Sequence, residues 1–277
     1  MDKLLSRIDS SQKLSQFIPI TLTIVILGLL IAVLHACLFL LNKIPGTIPI
    51  LLVIRPQDVL VGATIYLKTE IDFAIFIGRL METYPGWRNR VALEIGSAIG
   101  NASGTILIIG IWVILKHVDI LLALMVILAS LVLFELAYAG TEYINGFEPM
   151  KRLLWGIHRL LHPILSRIIP DLGANLKGNT HLSWKELAAF STKIPFILGL
   201  DDFAGYVPLF SVINVYGFAV GVIAAHTALN LSLFISPKRT ITVVKNQFIT
   251  LIGTIAFIGL GIYGLAEAGK IVFSVIR

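Results

Sequence analysis

Cysteine is almost absent from this chain of 277 residues; Cys37 stands alone. A single thiol excludes an internal disulfide and any thiolate metal cluster. Charge is scarce too: 14% of residues are charged, where a soluble domain carries about 25%. So few charges cannot coat a water-facing surface, which excludes an ordinary soluble enzyme and a disordered chain. No Ser/His/Asp triad or His-Glu-x-x-His pattern is present, and the glycine-rich stretch 96–105 lacks the lysine of a phosphate loop. Neither an enzymatic role nor a resident cofactor is expected.

What the chain has in abundance is apolar sequence. Hydrophobic residues make up 57% of it, and the mean hydropathy is +0.90. A hydrocarbon core of about 30 Å takes about 20 helical residues. Seven segments meet that length: a leader at 17–41, then 59–81 (A), 91–115 (B), 118–138 (C), 188–210 (A′), 214–235 (B′) and 248–268 (C′). Backbone groups in lipid must bond within their own segment, so each segment reads as a helix. The expected fold is an all-α polytopic membrane protein with seven transmembrane helices, a leader followed by two three-helix units. The boundaries fall at 1–57 (N-terminus, leader and connector), 58–146 (first unit), 147–185 (linker) and 186–277 (second unit). The short apolar stretch 48–54, set among Pro45, Pro49 and Pro56, cannot cross and reads as a re-entrant or surface piece. Leu34-His35-Ala36-Cys37 has some of the look of a lipoprotein cleavage box, but the apolar run continues to Leu41, so Cys37 reads as a helix residue.

A net charge of +6 would suggest nucleic acid in a soluble protein. Here the placement of Lys and Arg accounts for it, and no nucleic-acid partner is expected. With seven crossings, the N-terminus, the A–B loop, the linker and the B′–C′ loop share one side and carry most of the basic residues. The other side holds Lys43, Arg55, Lys116, Lys270 and Arg277. The positive-inside rule then puts the N-terminus in the cytoplasm and the C-terminus outside a cytoplasmic membrane. From Lys151 to Ile169 the linker places Leu153, Leu154, Ile157, Leu160, Leu161 and Ile164 on one arc, and Lys151, Arg152, His158, Arg159 and His162 on the other. Such a segment lies in the bilayer interface, with a kink expected at Pro163.

Three short matches recur in order between the units. Asp72-Phe73-Ala74 returns as Asp202-Phe203-Ala204, Gly96-x-x-x-Gly100 as Gly217-x-x-x-Gly221, and Tyr138-x-x-x-Glu142 as Tyr263-x-x-x-Glu267. Three crossings separate the starts of the two units, so A′ enters from the side opposite to A and the repeats are inverted. Secondary transporters are often built this way, with the site near the midplane between the halves.

Charges within spans are costly and mark such sites. Asp72 lies inside A, and Asp201 and Asp202 lie inside A′ among Pro195, Gly199, Gly205 and Pro208, where a kinked or broken helix is expected. Asn101 in B and His226 and Asn230 in B′ add mid-span polar groups, His226 being a candidate metal ligand or proton carrier. The glycines of B and B′ read as packing positions. Lys68 lies one turn before Asp72 with Glu70 between them, as a charge partner or coupling group. Glu94, Asp119, Glu135 and Glu267 sit nearer the span ends and read as interfacial.

Thr69-Glu70-Ile71-Asp72-Phe73 and Leu200-Asp201-Asp202-Phe203, each on the first helix of a three-helix unit, resemble the acidic motifs of the lysine-exporter superfamily. That superfamily includes amino-acid exporters, cadmium-resistance transporters and manganese or calcium exporters. The resemblance spans roughly 59–268 and implies intramembrane ion binding at Asp72 and Asp202. Lys68 and the lack of further cysteines depart from a soft-metal pattern. The leading expectation is export of a divalent cation, held as substrate by Asp72, Asp202 and His226 with help from Asp201, Asn101 and Asn230. An amino-acid or small organic-ion exporter is the alternative, and a non-transporting membrane scaffold is a third reading. The partners expected are the lipid bilayer and the transported solute; a homo-oligomer is allowed but not required.

Overall fold

A computed structural model describes residues 12–45, 49–168, 182–210 and 213–276, with the side chains of 12–16, 71–72, 164–168, 194, 196–205 and 276 outside the described set. The regular secondary structure of the described residues is helical, with no strand among them. In chain order the helices are α1 (Gln12–Leu41), α2 (Pro56–Thr69), α3 (Ile71–Thr83), α4 (Trp87–Leu115), α5 (Asp119–Gly140), α6 (Glu148–Ile168), α7 (Trp184–Tyr206), α8 (Val215–Ile235), α9 (Pro237–Val244) and α10 (Gln247–Ile276). Single 3₁₀ turns extend α5 (Thr141–Tyr143) and α7 (Val207–Leu209).

Among the described residues, five segments are long and apolar enough to cross a membrane: Phe17–Leu41, Trp87–Leu115, Asp119–Tyr143, Val215–Ile235 and Gln247–Val275. They correspond to the leader, B, C, B′ and C′. Span A differs from expectation, because it is two helices and not one. The break falls at Glu70 (φ −94°, ψ 26°), which caps α2 through its N–H to Tyr66 O and starts α3 by accepting from Ala74 N–H at 2.9 Å. Halves of 14 and 13 residues rise about 20 Å each, too short to cross alone. Span A′ also departs from expectation, since the backbone of α7 runs unbroken past Pro195 and through Asp201 and Asp202. The irregularity comes later, at the 3₁₀ turn that holds Pro208.

Local chemistry fixes several ends. Pro56 and Pro237 sit in the first turns of α2 and α9, where a missing N–H costs nothing. Asn214 caps α8 by accepting from Gly217 N–H at 3.1 Å, and its amide donates to Leu51 O at 2.9 Å. Asn42 brackets Ile50, donating to its carbonyl at 2.8 Å and accepting from its N–H at 2.7 Å. These bonds hold the short non-helical segment 49–55 against the bundle.

Three helix pairings dominate: α2 on α8, α4 on α7, and α5 on α10. Glycine permits the first two. A Cβ added at Gly221 would fall on the Val59 carbonyl, and one at Gly100 on the Thr192 carbonyl. The packing role expected of these glycines therefore matches their surroundings. Helix α6 lies against α5 and is continuous through Pro163.

Candidate functional site

A buried polar structure runs across the α2–α8–α4 junction. Helix α4 carries Glu94, Ser97, Asn101 and Thr105 at spacings of three and four, which stack them on one face. All four are buried. Facing them from α8 are His226 and Asn230, one turn apart and 1% and 0% exposed.

Hydrogen bonds join these groups. Asn230 Nδ2 donates to Ser97 Oγ at 2.8 Å, and Ser97 Oγ–H donates to the Glu94 carbonyl at 3.0 Å. Asn230 Nδ2 also meets His226 Nε2 at 2.9 Å, and His226 Nδ1 meets Tyr66 Oη of α2 at 2.5 Å. With Nε2 accepting, a neutral imidazole carries its proton on Nδ1, directed at the tyrosine oxygen. The Phe73 ring packs 5.4 Å from the imidazole.

The network is incompletely satisfied. Among the described residues, Glu94 Oε1, Asn101 Nδ2, Thr105 Oγ1 and Asn230 Oδ1 are buried without a hydrogen-bond partner. The Thr23 side chain of α1 lies beside Glu94, its hydroxyl donating to the Pro19 carbonyl at 2.9 Å. Beside it is a cavity of ≈ 10 Å³ lined by Thr23, Ile26, Glu94, Ile95, Ala98, Thr227 and Asn230, about the room one water needs. Glu94, placed near a span end from the sequence, is enclosed by α1 and α8, which leave it 2% exposed. Tyr66 and Ser97 also escaped the sequence reading. The signal that could have found Glu94 and Ser97 is the 94/97/101/105 spacing, which extends the face of Asn101.

Of the residues expected to act together, His226 and Asn230 touch, and Asn101 lies one turn from Ser97 on the same helix. The side chains of Asp72, Asp201 and Asp202 lie outside the described residues. By backbone position, Asp72 is the second residue of α3, just past the break, and Asp201 and Asp202 are near the end of α7. Glu70 is buried at that break. Lys68 points elsewhere: its Nζ donates to the Ile249 carbonyl of α10, and its stem crosses Gly253. It also lines a ≈ 490 Å³ cavity with Thr64, Leu67, Ala228, Ser232, Arg239 and Thr240 among its walls. No protein-family model, curated protein or solved structure matches the chain.

Proposed function

We propose that the chain is a secondary transporter of the cytoplasmic membrane that exports a cation, with a divalent ion such as Mn²⁺ or Ca²⁺ as the leading substrate. The observation that carries this reading is the polar face of α4 set against His226 and Asn230 with four partnerless polar atoms. Each such atom costs about 1–3 kcal/mol when buried. A bundle built only for stability would replace them with apolar groups; a path for a solute and its hydration requires them.

The helix pairing supports an alternating-access mechanism. The first helix of each unit lies on the second helix of the other, and the two third helices lie on each other. This exchange is what two inverted repeats around a two-fold axis would produce. In this reading the leader and the six spans of the two units make seven crossings, with A crossing as the broken pair α2–α3. Asp72, Asp201 and Asp202 supply the charge that a cation needs, and His226 with Asn101 and Asn230 completes the path.

One observation favours a second substrate class. The ≈ 490 Å³ cavity holds two cationic side chains, Lys68 and Arg239, and its size suits a small organic solute. An amino acid or organic acid would bind there through a carboxylate.

Proteoliposome flux assays distinguish these outcomes. Counterflow of Mn²⁺ or Ca²⁺, abolished by Asp72→Asn with Asp202→Asn, is the expected result. Flux of an amino acid alone, reduced by Lys68→Gln, would transfer the assignment to the second class. No flux of any cation or amino acid tested, with the protein folded, would refute both.

A further inference from the structure

Outside that site, one cluster of ligating side chains joins two helices. His158 and His162 are one turn apart on α6, and both turn Nδ1 toward Glu135 of α5. The distances to Glu135 Oε1 are 2.6 Å and 3.3 Å. The two imidazoles lie 4.7 Å apart, and the Tyr138 ring stacks on His158 at 4.2 Å. The three donor atoms fall within 4.8 Å of one another. Glu135 Oε2 is buried and without a partner among the described residues.

Helix α6 explains why the cluster meets water. Leu154 and Leu161 bury against the bundle, while Leu153 and Leu160 form an exposed apolar strip suited to lipid. Lys151, Arg152, Arg159 and His162 form a third, polar strip. His158 sits between the buried and polar strips, and the His162 side chain is 58% exposed. A solute in water can reach the cluster without crossing lipid.

We propose that Glu135, His158 and His162 bind a transition-metal dication of the zinc class, fastening the linker helix α6 to α5. Two imidazoles and one carboxylate make a three-ligand set of the kind that holds zinc with a fourth position open. Bonds of about 2.0–2.1 Å in a tetrahedron separate the donors by about 3.4 Å. The observed separations reach that value with small side-chain rotations. The tyrosine stack holds one imidazole in place, and the second carboxylate oxygen can share the load. Nitrogen donors select zinc, cobalt or nickel over calcium or magnesium. This site is independent of the transport path, because none of its residues belongs to the α2–α8–α4 network.

The test is calorimetry with ZnCl₂ on the purified, tag-free full chain in detergent, alongside CoCl₂ absorption. One equivalent of Zn²⁺ should bind in a His162-dependent manner, Co²⁺ should give the strong visible bands of tetrahedral coordination, and excess Ca²⁺ or Mg²⁺ should not displace either from this site. His162→Ala alters an exposed side chain, so the protein stays folded, and affinity should fall at least about tenfold. Glu135→Gln should weaken binding similarly, while His117→Ala should change nothing. Absence of Zn²⁺ binding to the wild-type chain would overturn the proposal. So would binding that His162→Ala leaves unchanged or that His117→Ala removes.

Discussion

Replacing Tyr66 by phenylalanine deletes one oxygen and leaves the ring, so it tests the buried network with little change in packing. Tyr66 and His226 are 0% and 1% exposed, and the Oη–Nδ1 distance is 2.5 Å. Without the hydroxyl, the Nδ1 proton is left in a site closed to solvent, His226 being 1% exposed. The ring cannot simply rotate, because Asn230 engages Nε2 at 2.9 Å. Orphaning a buried donor costs about 1–3 kcal/mol. Hydrogen bonds between membrane helices average only about 0.6 kcal/mol, because helices unfolded within the membrane also find partners. The locked ring favours the upper value, and we expect a loss of about 1–2 kcal/mol. The assay is reversible unfolding in mixed micelles titrated with dodecyl sulfate and followed by circular dichroism. Tyr66→Phe, His226→Leu and the double variant close a cycle that isolates the pair. A coupling energy within about 0.5 kcal/mol of zero would mean the two groups act independently, and the network described above would not exist as drawn.

The same unfolding assay tests the helix contacts. Gly221→Val drives a side chain into the Val59 carbonyl and should cost about 1–3 kcal/mol, whereas Gly104→Ala, with nothing within 4 Å of its Cβ, should be neutral or stabilising; equal effects would refute the packing role. At the start of α7, Ser183 and Glu186 form a reciprocal cap: Ser183 N–H donates to Glu186 Oε2 at 2.8 Å, and Glu186 N–H to Ser183 Oγ at 3.4 Å. The bond from the Ser183 backbone, followed by the Ser183 side chain, holds the Glu186 carboxyl below its usual value. The cap therefore contributes fully above the unfolded carboxyl value and is lost as pH falls through the lowered one. Limited proteolysis near residue 184 should accelerate in acid, and Ser183→Ala should show fast cleavage already at neutral pH; a pH-independent rate would count against the cap.

Much of this architecture was legible because lipid imposes one rule on every span. Runs such as 215–235 and 17–41 could be little else than long helices, and the linker declared itself by placing leucine and arginine on different arcs. The break at Glu70 was not legible, because no proline or glycine marks it. It is fixed by tertiary contacts, with α2 packed on α8 and α3 packed on α8 and α9. Pro195 sent the opposite signal, yet α7 accommodates it without interruption. The burial of Glu94 was not legible for a related reason: distance from a span end gives depth, but only packing decides which face is closed. Thr23 of α1 and Asn230 of α8 close that face, and neither lies near it in sequence.

The proposed repeat gains weight from contacts that the motif matches did not contain. Aligning Asp72 with Asp202 pairs Asp58 with Ala188, and aligning the glycine motifs pairs Gly96 with Gly217. In the structure Gly96 meets Ala188, and Gly217 meets Asp58. Chance agreement of short motifs gives no reason for the helices bearing them to exchange partners, and the exchange holds at the level of helices: Gly100 meets Thr192 and Gly221 meets Val59, three residues out of register in this alignment. The same alignment sets His226 against Thr105 and Asn230 against Ile109, so in the proposed repeat the helix pairing is exchanged while the polar chemistry is not. If the two halves rock about a shared axis, proton or ion coupling therefore belongs to α8 and to the face of α4 that it touches. In the proposed mechanism the glycine contacts would be the surfaces on which the halves move.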